Sequence, residues 1–164
     1  MAFLRFTKKG KSQALLHLLK YKNKPEIGEE LGRLYGLSLS QHGFSGLWDV
    51  LVAVPLHPLK KARRGYNQSE CFARGLSKSL GIPVQELLER RKNTDTQTNK
   101  SRLERLNNVE QVFVLAKGYH SSGLRVLLVD DILTTGATLC AASQALLEGG
   151  AKHVDLATIA AGGH

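Results

Sequence analysis

Two adjacent carboxylates, Asp130 and Asp131, are followed closely by Thr134, Thr135, Gly136, Ala137 and Thr138. The full stretch, VLLVDDILTTGAT over residues 126 to 138, begins as an apolar run and ends where a helix should start. Side-by-side carboxylates accept hydrogen bonds from a vicinal diol, such as that of a ribose. The threonines offer hydroxyl donors, and Gly136 lets the backbone turn tightly and approach a ligand. The first N–H groups of the following helix would face the same spot, which suits an anion. Diol acceptors beside an anion cradle describe a site for a 5-phosphoribosyl group. A strand–helix unit with an acidic turn and a threonine cap would use the same residues.

A second cluster has the opposite charge. Lys60, Lys61, Arg63 and Arg64 precede Gly65, directly after the apolar run VLVAVPLHP. Arginines grip phosphate oxygens bidentately and lysines act as point charges. Gly65 would allow close approach. A solvated basic turn has the same composition, and His57 reads equally well as structural or ligand-facing.

These residues need elements to position them. Residues 48 to 54, WDVLVAV, and 124 to 131, LRVLLVDD, are short continuous apolar runs, as expected of strands covered on both faces. Strand character also marks VQELLERR, VEQVFVL and AKHVDLATIA. Residues 12 to 21 carry leucines at helical spacing, with Ser12 as a possible cap. A second helix is expected from Pro25, with Ile27, Leu31, Leu34 and Tyr35 as its apolar stripe. A third begins at Asn67, spaced with Glu70 as a capping box, and stops at Gly81 and Pro83. The helix after Gly136 closes at Gly149 and Gly150. Alternating strands and helices predict an α/β fold with a mostly parallel sheet flanked by helices. Residues 89 to 102 contain no large apolar side chain, which suits a functional lid or a plain surface loop.

The 164 residues form one expected domain, with a helical N-terminal part over 1–45 and a core over 46–164. Its 23 basic and 14 acidic residues leave a net charge of +9, favouring anionic partners without choosing among nucleic acid, lipid and small phosphates. Cys71 and Cys140 form no C-x-x-C pair, and each is expected on the buried side of its helix. No run approaches the roughly 20 apolar residues of a membrane span. The first residues, MAFLRFTKKGKSQ, lack the apolar core of a signal peptide. A cytoplasmic protein with no membrane partner is expected.

Residues 126 to 138 resemble the 5-phosphoribosyl-1-pyrophosphate (PRPP) fingerprint of the type I phosphoribosyltransferases at every position. The segments VPLHPLKKARRGYNQSE and RRKNTDTQTNKSRLERLNN, in this order before the fingerprint, resemble the competence-protein ComF family. That resemblance runs from about Leu19 to the C-terminus. Two departures stand out, and the first is that the cysteine-rich, zinc-ribbon-like segment that usually opens ComF proteins is absent, as in a short member or a trimmed chain.

The resemblance implies the type I phosphoribosyltransferase fold and transfer of a phosphoribosyl group from PRPP to an unidentified amine or base. In the second departure, threonine at 134 replaces an acid found in some purine-salvage relatives. An amine or an already deprotonated nucleophile is therefore favoured over a purine base. Thr134, Thr135, Gly136, Ala137 and Thr138 would hold the 5-phosphate. Asp130 and Asp131 would face the ribose hydroxyls, with Mg²⁺ nearby but no metal ligand set legible in the sequence. Lys60, Arg63, Arg64 and Gly65 would meet pyrophosphate. Thr94, Gln97, Lys100, Arg102 and Arg105 would belong to a loop closing over the reaction, with Arg102 among the catalytic groups. The alternative is a non-catalytic accessory of DNA uptake in natural competence, binding single-stranded DNA or a helicase. A sensor that binds PRPP without turnover is a third reading. Relatives often dimerise, so a homodimer is a further expectation.

Overall fold

The computed structural model describes residues 1–5, 19, 24–91 and 112–162 of the chain. The predicted helix over 12–21 lies almost wholly outside them. Among the described residues ten elements follow in order: β1 (Ala2–Arg5), α1 (Pro25–Gln41), β2 (Val50–Ala53), α2 (Pro58–Arg64), α3 (Gln68–Leu80), β3 (Leu88–Arg90), β4 (Phe113–Leu115), β5 (Arg125–Leu133), α4 (Ala137–Glu148) and β6 (His153–Ala161). Four strands form one sheet in the order β1-β6-β5-β2, and every pair in it is parallel. β3 and β4 pair antiparallel as a separate ribbon. The expected strand VQELLERR is thus split. Val84 bridges Leu51 at the sheet edge, and only Leu88–Arg90 forms a strand, beside β4.

The apolar runs are buried from both sides, as their composition requires. On one face Leu51, Leu127, Val129, Ala157 and Ile159 pack against Phe72 and Leu76 of α3 and Tyr35 and Leu39 of α1. On the other, Val50, Val52, Val126 and Leu128 pack against Leu139, Ala142 and Leu146 of α4, with Leu87, Leu88 and Phe113 alongside. Among the described residues no helix is long and apolar enough to cross a membrane.

Helix α1 departs from its expected stripe. Leu34 is 42% exposed, whereas Gly28, Gly32 and Gly36 are buried with Tyr35 and Leu39. The glycines face α3. A Cβ on Gly32 would overlap the Phe72 carbonyl oxygen, and one on Gly75 would overlap the Glu29 carbonyl oxygen. The two backbones approach so closely that no side chain fits between them. Cys140 also differs from expectation: it is exposed on α4, while Cys71 is buried, and burial pushes the Cys71 thiol pKa up. A short α-helix places some positions outward whatever their polarity, and Cys140 occupies one of them.

Candidate functional site

Strand β5 outruns its neighbour. β2 pairs with it only as far as Ala53 with Val129, so the next residues of β5 have an open side. Those residues are Asp130 and Asp131. The ladder to β6 pairs Asp130 with Thr158 and then Ile132 with Ala160, passing over Asp131 and Ile159 alike without a change of register. The Asp131 N–H instead donates to Asp130 Oδ1 at 2.8 Å. Side-chain alternation slips at this point. Leu127 and Val129 belong to the α1/α3 face, and so does Ile132, while Leu133 joins Leu128 on the α4 face. Regular alternation would have sent Ile132 and Leu133 to the opposite layers. Both acids line one cavity of about 190 Å³.

Four elements complete that cavity. From α4 comes Thr138, in the first turn. Gly136 caps this helix with φ 81, a left-handed conformation that glycine adopts without strain, and as the cap residue it brings no side chain to the helix N-terminus. The Ala137 N–H donates to Thr135 Oγ1 at 3.4 Å. Thr134, Thr135 and Ala137 are exposed around this turn. From α2 come Lys60 and Arg64. The start of α3 supplies Asn67, Gln68 and Ser69, all buried although polar. Ser69 Oγ donates to Asp130 Oδ1 at 2.9 Å, fixing one carboxylate oxygen. Asn67 caps α3 by accepting from the Ser69 N–H at 3.1 Å, and its amide donates to the Val54 carbonyl at 2.9 Å. Glu70 accepts from the Asn67 side chain at 3.3 Å, so the expected box forms between side chains rather than with the Asn67 backbone. Arg90, from β3, lines the cavity as well, its guanidinium 5.4 Å from the Phe113 ring centre.

The basic cluster is helical. Pro58 opens α2, His57 caps it by accepting from the Leu59 N–H at 3.3 Å, and Gly65 ends it with φ 84. Gly65 therefore closes a helix, with nothing near where a Cβ would stand. The four cations of the cluster diverge. Lys60 and Arg64 line the cavity with the aspartates. Arg64 Nη1 donates to Gln68 Oε1. Lys61 pairs with Glu70 at 3.2 Å and lines an adjoining cavity of about 470 Å³, which shares Pro55, Leu56 and Arg90 with the first. Arg63 is exposed and lines neither cavity. Thr94, Gln97, Lys100, Arg102 and Arg105 lie outside the described residues.

The arrangement joins two carboxylates, a threonine hydroxyl and a helix start to three cations, Lys60, Arg64 and Arg90. It can accept hydrogen bonds from a diol and hold anionic oxygens on either side of it. Among the described residues no group of three or more His, Cys, Asp or Glu could hold a metal alone. Two carboxylates do suit a Mg²⁺ that arrives with a ligand's phosphates, since Mg²⁺ commonly takes one or two protein carboxylates. Gln68, Ser69 and Arg90 had no role in the sequence reading. The first two stand within the RGYNQSE segment that carries the family resemblance, which was their only signal. Arg90 had none.

A family model described as "Phosphoribosyl transferase domain" matches residues 66–164. Competence protein F of Haemophilus influenzae is 33% identical over 148 residues, covering 87% of this chain and 64% of that protein. DNA utilization protein YhgH of Escherichia coli is 35% identical over 146 residues, covering 87% and 63%. The chain thus spans slightly under two thirds of the length of these relatives. Among solved structures, glutamine PRPP amidotransferase from Bacillus subtilis superimposes with a TM-score of 0.60 at 23% identity, over 87% of this chain and 30% of that one. That likeness establishes the type I phosphoribosyltransferase fold.

Proposed function

The chain belongs to the phosphoribosyl transferase domain family, in the company of the competence protein F relatives, and from that premise we propose that it binds PRPP and transfers the phosphoribosyl group to an amine or base. One observation carries the reading: Asp130, Asp131 and Thr138 share a cavity with Lys60 and Arg64. Asp130 and Asp131 accept from the ribose hydroxyls. The turn of Thr134, Thr135, Gly136, Ala137 and Thr138 takes the 5-phosphate. Lys60 and Arg64, with Arg90, hold the pyrophosphate. Arg63 and Gly65 of the expected pyrophosphate set stand farther from this role, Arg63 as an exposed charge and Gly65 as a helix cap. In the reaction the bond from ribose carbon 1 to pyrophosphate oxygen breaks and a bond to the acceptor forms. Pyrophosphate leaves with the electron pair, and the cations stabilise the charge that develops on it. Mg²⁺ bound with PRPP would neutralise further charge on the leaving group.

Isothermal titration of PRPP with Mg²⁺ into the wild type tests the binding step, and absence of binding refutes it. Asp131→Asn should weaken binding by about 1.5–3 kcal/mol, the range for a hydrogen bond to a charged group. Pyrophosphate release with candidate amines and bases then separates a transferase from a PRPP sensor.

The relatives' names, competence protein and DNA utilization protein, favour a second reading. In it the same fold serves DNA uptake without turnover, by binding single-stranded DNA or a helicase. The net charge of +9 supports the DNA version. Its affinity must then fall steeply with salt as counterions are released. DNA binding that is absent at low ionic strength, or insensitive to salt, removes that version, and a pull-down tests the protein partner.

A further inference from the structure

We propose that Gln68 contacts the ligand directly, donating its amide N–H to a phosphoryl oxygen, in addition to holding Arg64 in place. This rests on the reading that the cavity of Asp130 and Asp131 takes a phosphoribosyl ligand.

Gln68 is the first residue of α3, is 1% exposed, and lines that cavity. Its amide is half satisfied. Oε1 accepts from Arg64 Nη1, whereas Nε2 has no hydrogen-bond partner. Turning the amide over would not repair this, because Nε2 would then face the Arg64 donor, and a guanidinium has no acceptor to offer. The contact with Arg64 therefore fixes which atom is left over, and that atom is a donor. Buried donors are almost always paired, so an unpaired one beside a cavity calls for an explanation.

Its neighbours are not in the same position. Ser69 Oγ is used on Asp130, and both ends of the Asn67 amide are engaged. Chemistry selects the ligand atom. The two aspartates only accept, so they suit hydroxyls. Gln68 stands between Arg64 and Ser69 with a donor to give, which suits an oxygen that accepts only, and a phosphoryl oxygen is that group. A neutral, directional donor here would fix the orientation of an anion that Lys60 and Arg64 attract from all directions.

The test is a double-mutant cycle of Gln68→Met and Arg64→Met, read by isothermal titration of PRPP with Mg²⁺. Gln68→Met should weaken binding roughly ten- to a hundredfold, and most of that loss should persist in the Arg64→Met background. If Gln68→Met costs nothing once Arg64 is gone, Gln68 acts only through Arg64 and the proposal fails while PRPP binding stands. If the wild type binds no PRPP, the reading of the site fails first. A measurement on the wild type guards against a variant that does not fold. The side-chain NH₂ resonances of Gln68 should shift as PRPP saturates the protein, and resonances unmoved at saturation overturn the proposal.

Discussion

The glycine contact between α1 and α3 makes a graded prediction. Replacing Gly32 by Ala places a methyl against the Phe72 carbonyl oxygen, and also 3.0 Å from Gly75 Cα and Leu76 N. All three obstacles are backbone, which cannot rotate away. Restoring van der Waals distance requires the helices to part by roughly 1 Å, and gaps of that size forfeit a quarter to a half of each dispersion contact across them. The contacts at risk include Tyr35, Leu39, Phe72 and Leu76. Overpacking of this kind costs about 1–3 kcal/mol or more. Against it stands a gain of about 1 kcal/mol, because alanine is the better helix former. Because the obstacles are backbone, the cost lies at the upper end of that range, and a net loss of about 2 kcal/mol is expected for Gly32→Ala, and similarly for Gly75→Ala, whose Cβ would meet the Glu29 carbonyl and Arg33 N. Gly36→Ala should cost less, since its nearest obstacle is the Ser79 side chain at 2.7 Å. Gly28→Ala meets Leu19 Cδ1 at 3.0 Å and Cys71 Cβ at 3.1 Å, with the Gln68 carbonyl oxygen at an ordinary 3.7 Å, and should cost least of the series. Urea denaturation with a constant slope measures the series. A Gly32→Ala protein as stable as the wild type, or less affected than Gly28→Ala, would refute the packing argument. Because α3 begins with Gln68 and Ser69, the Gly32 and Gly75 variants should also bind ligand more weakly than their residual folded fraction explains.

Further outcomes follow from other contacts. Ser69→Ala removes a hydrogen bond to Asp130 that exists without ligand, so it should cost about 1.5–3 kcal/mol of stability by urea denaturation and also weaken PRPP binding. Asn67→Ala strips α3 of its cap and leaves the Val54 carbonyl without its side-chain donor, costing about 2 kcal/mol of stability in the same denaturation assay. Asp49 is held by the Arg125 guanidinium and backbone N–H, which lower its pKa from 3.8 to about 2. A depressed carboxylate adds stability above its unfolded pKa and loses it as pH falls through the folded value. The urea midpoints of wild type and Asp49→Asn should therefore differ above pH 3.8 and converge as pH falls toward 2. A thiol reagent should label Cys140 in the native protein and Cys71 only after unfolding.

The layered fold was largely readable because the strands of a parallel sheet are continuous apolar runs, and Val50, Leu51, Val126 and Leu128 are of this kind. Helix ends were readable where their chemistry is local, at Pro25, Asn67 and Gly81. Three features escaped. Leucine spacing pointed α1 the wrong way at Leu34, because the buried face is set by how closely α3 approaches, which depends on Gly75 far along the chain. Helix α2 was hidden because a run of cations flanked by Pro58 and Gly65 looks like a turn. In the site, Asp130, Asp131 and Thr138 could be named since one contiguous motif holds them. Gln68 and Ser69 gain their meaning only from folding against β5, and Arg90 from the ribbon of β3 and β4.

The unbroken register of the β5/β6 ladder has a consequence for how this region can change. Ile132 and Leu133 meet Ala160 and Ala161 in the same register that pairs Asp130 with Thr158. Replacing either acid leaves those pairs in place. Deleting one would carry Ile132 and Leu133 one position out of step with Ala160 and Ala161. Length at this point is therefore constrained more tightly by the scaffold than identity is.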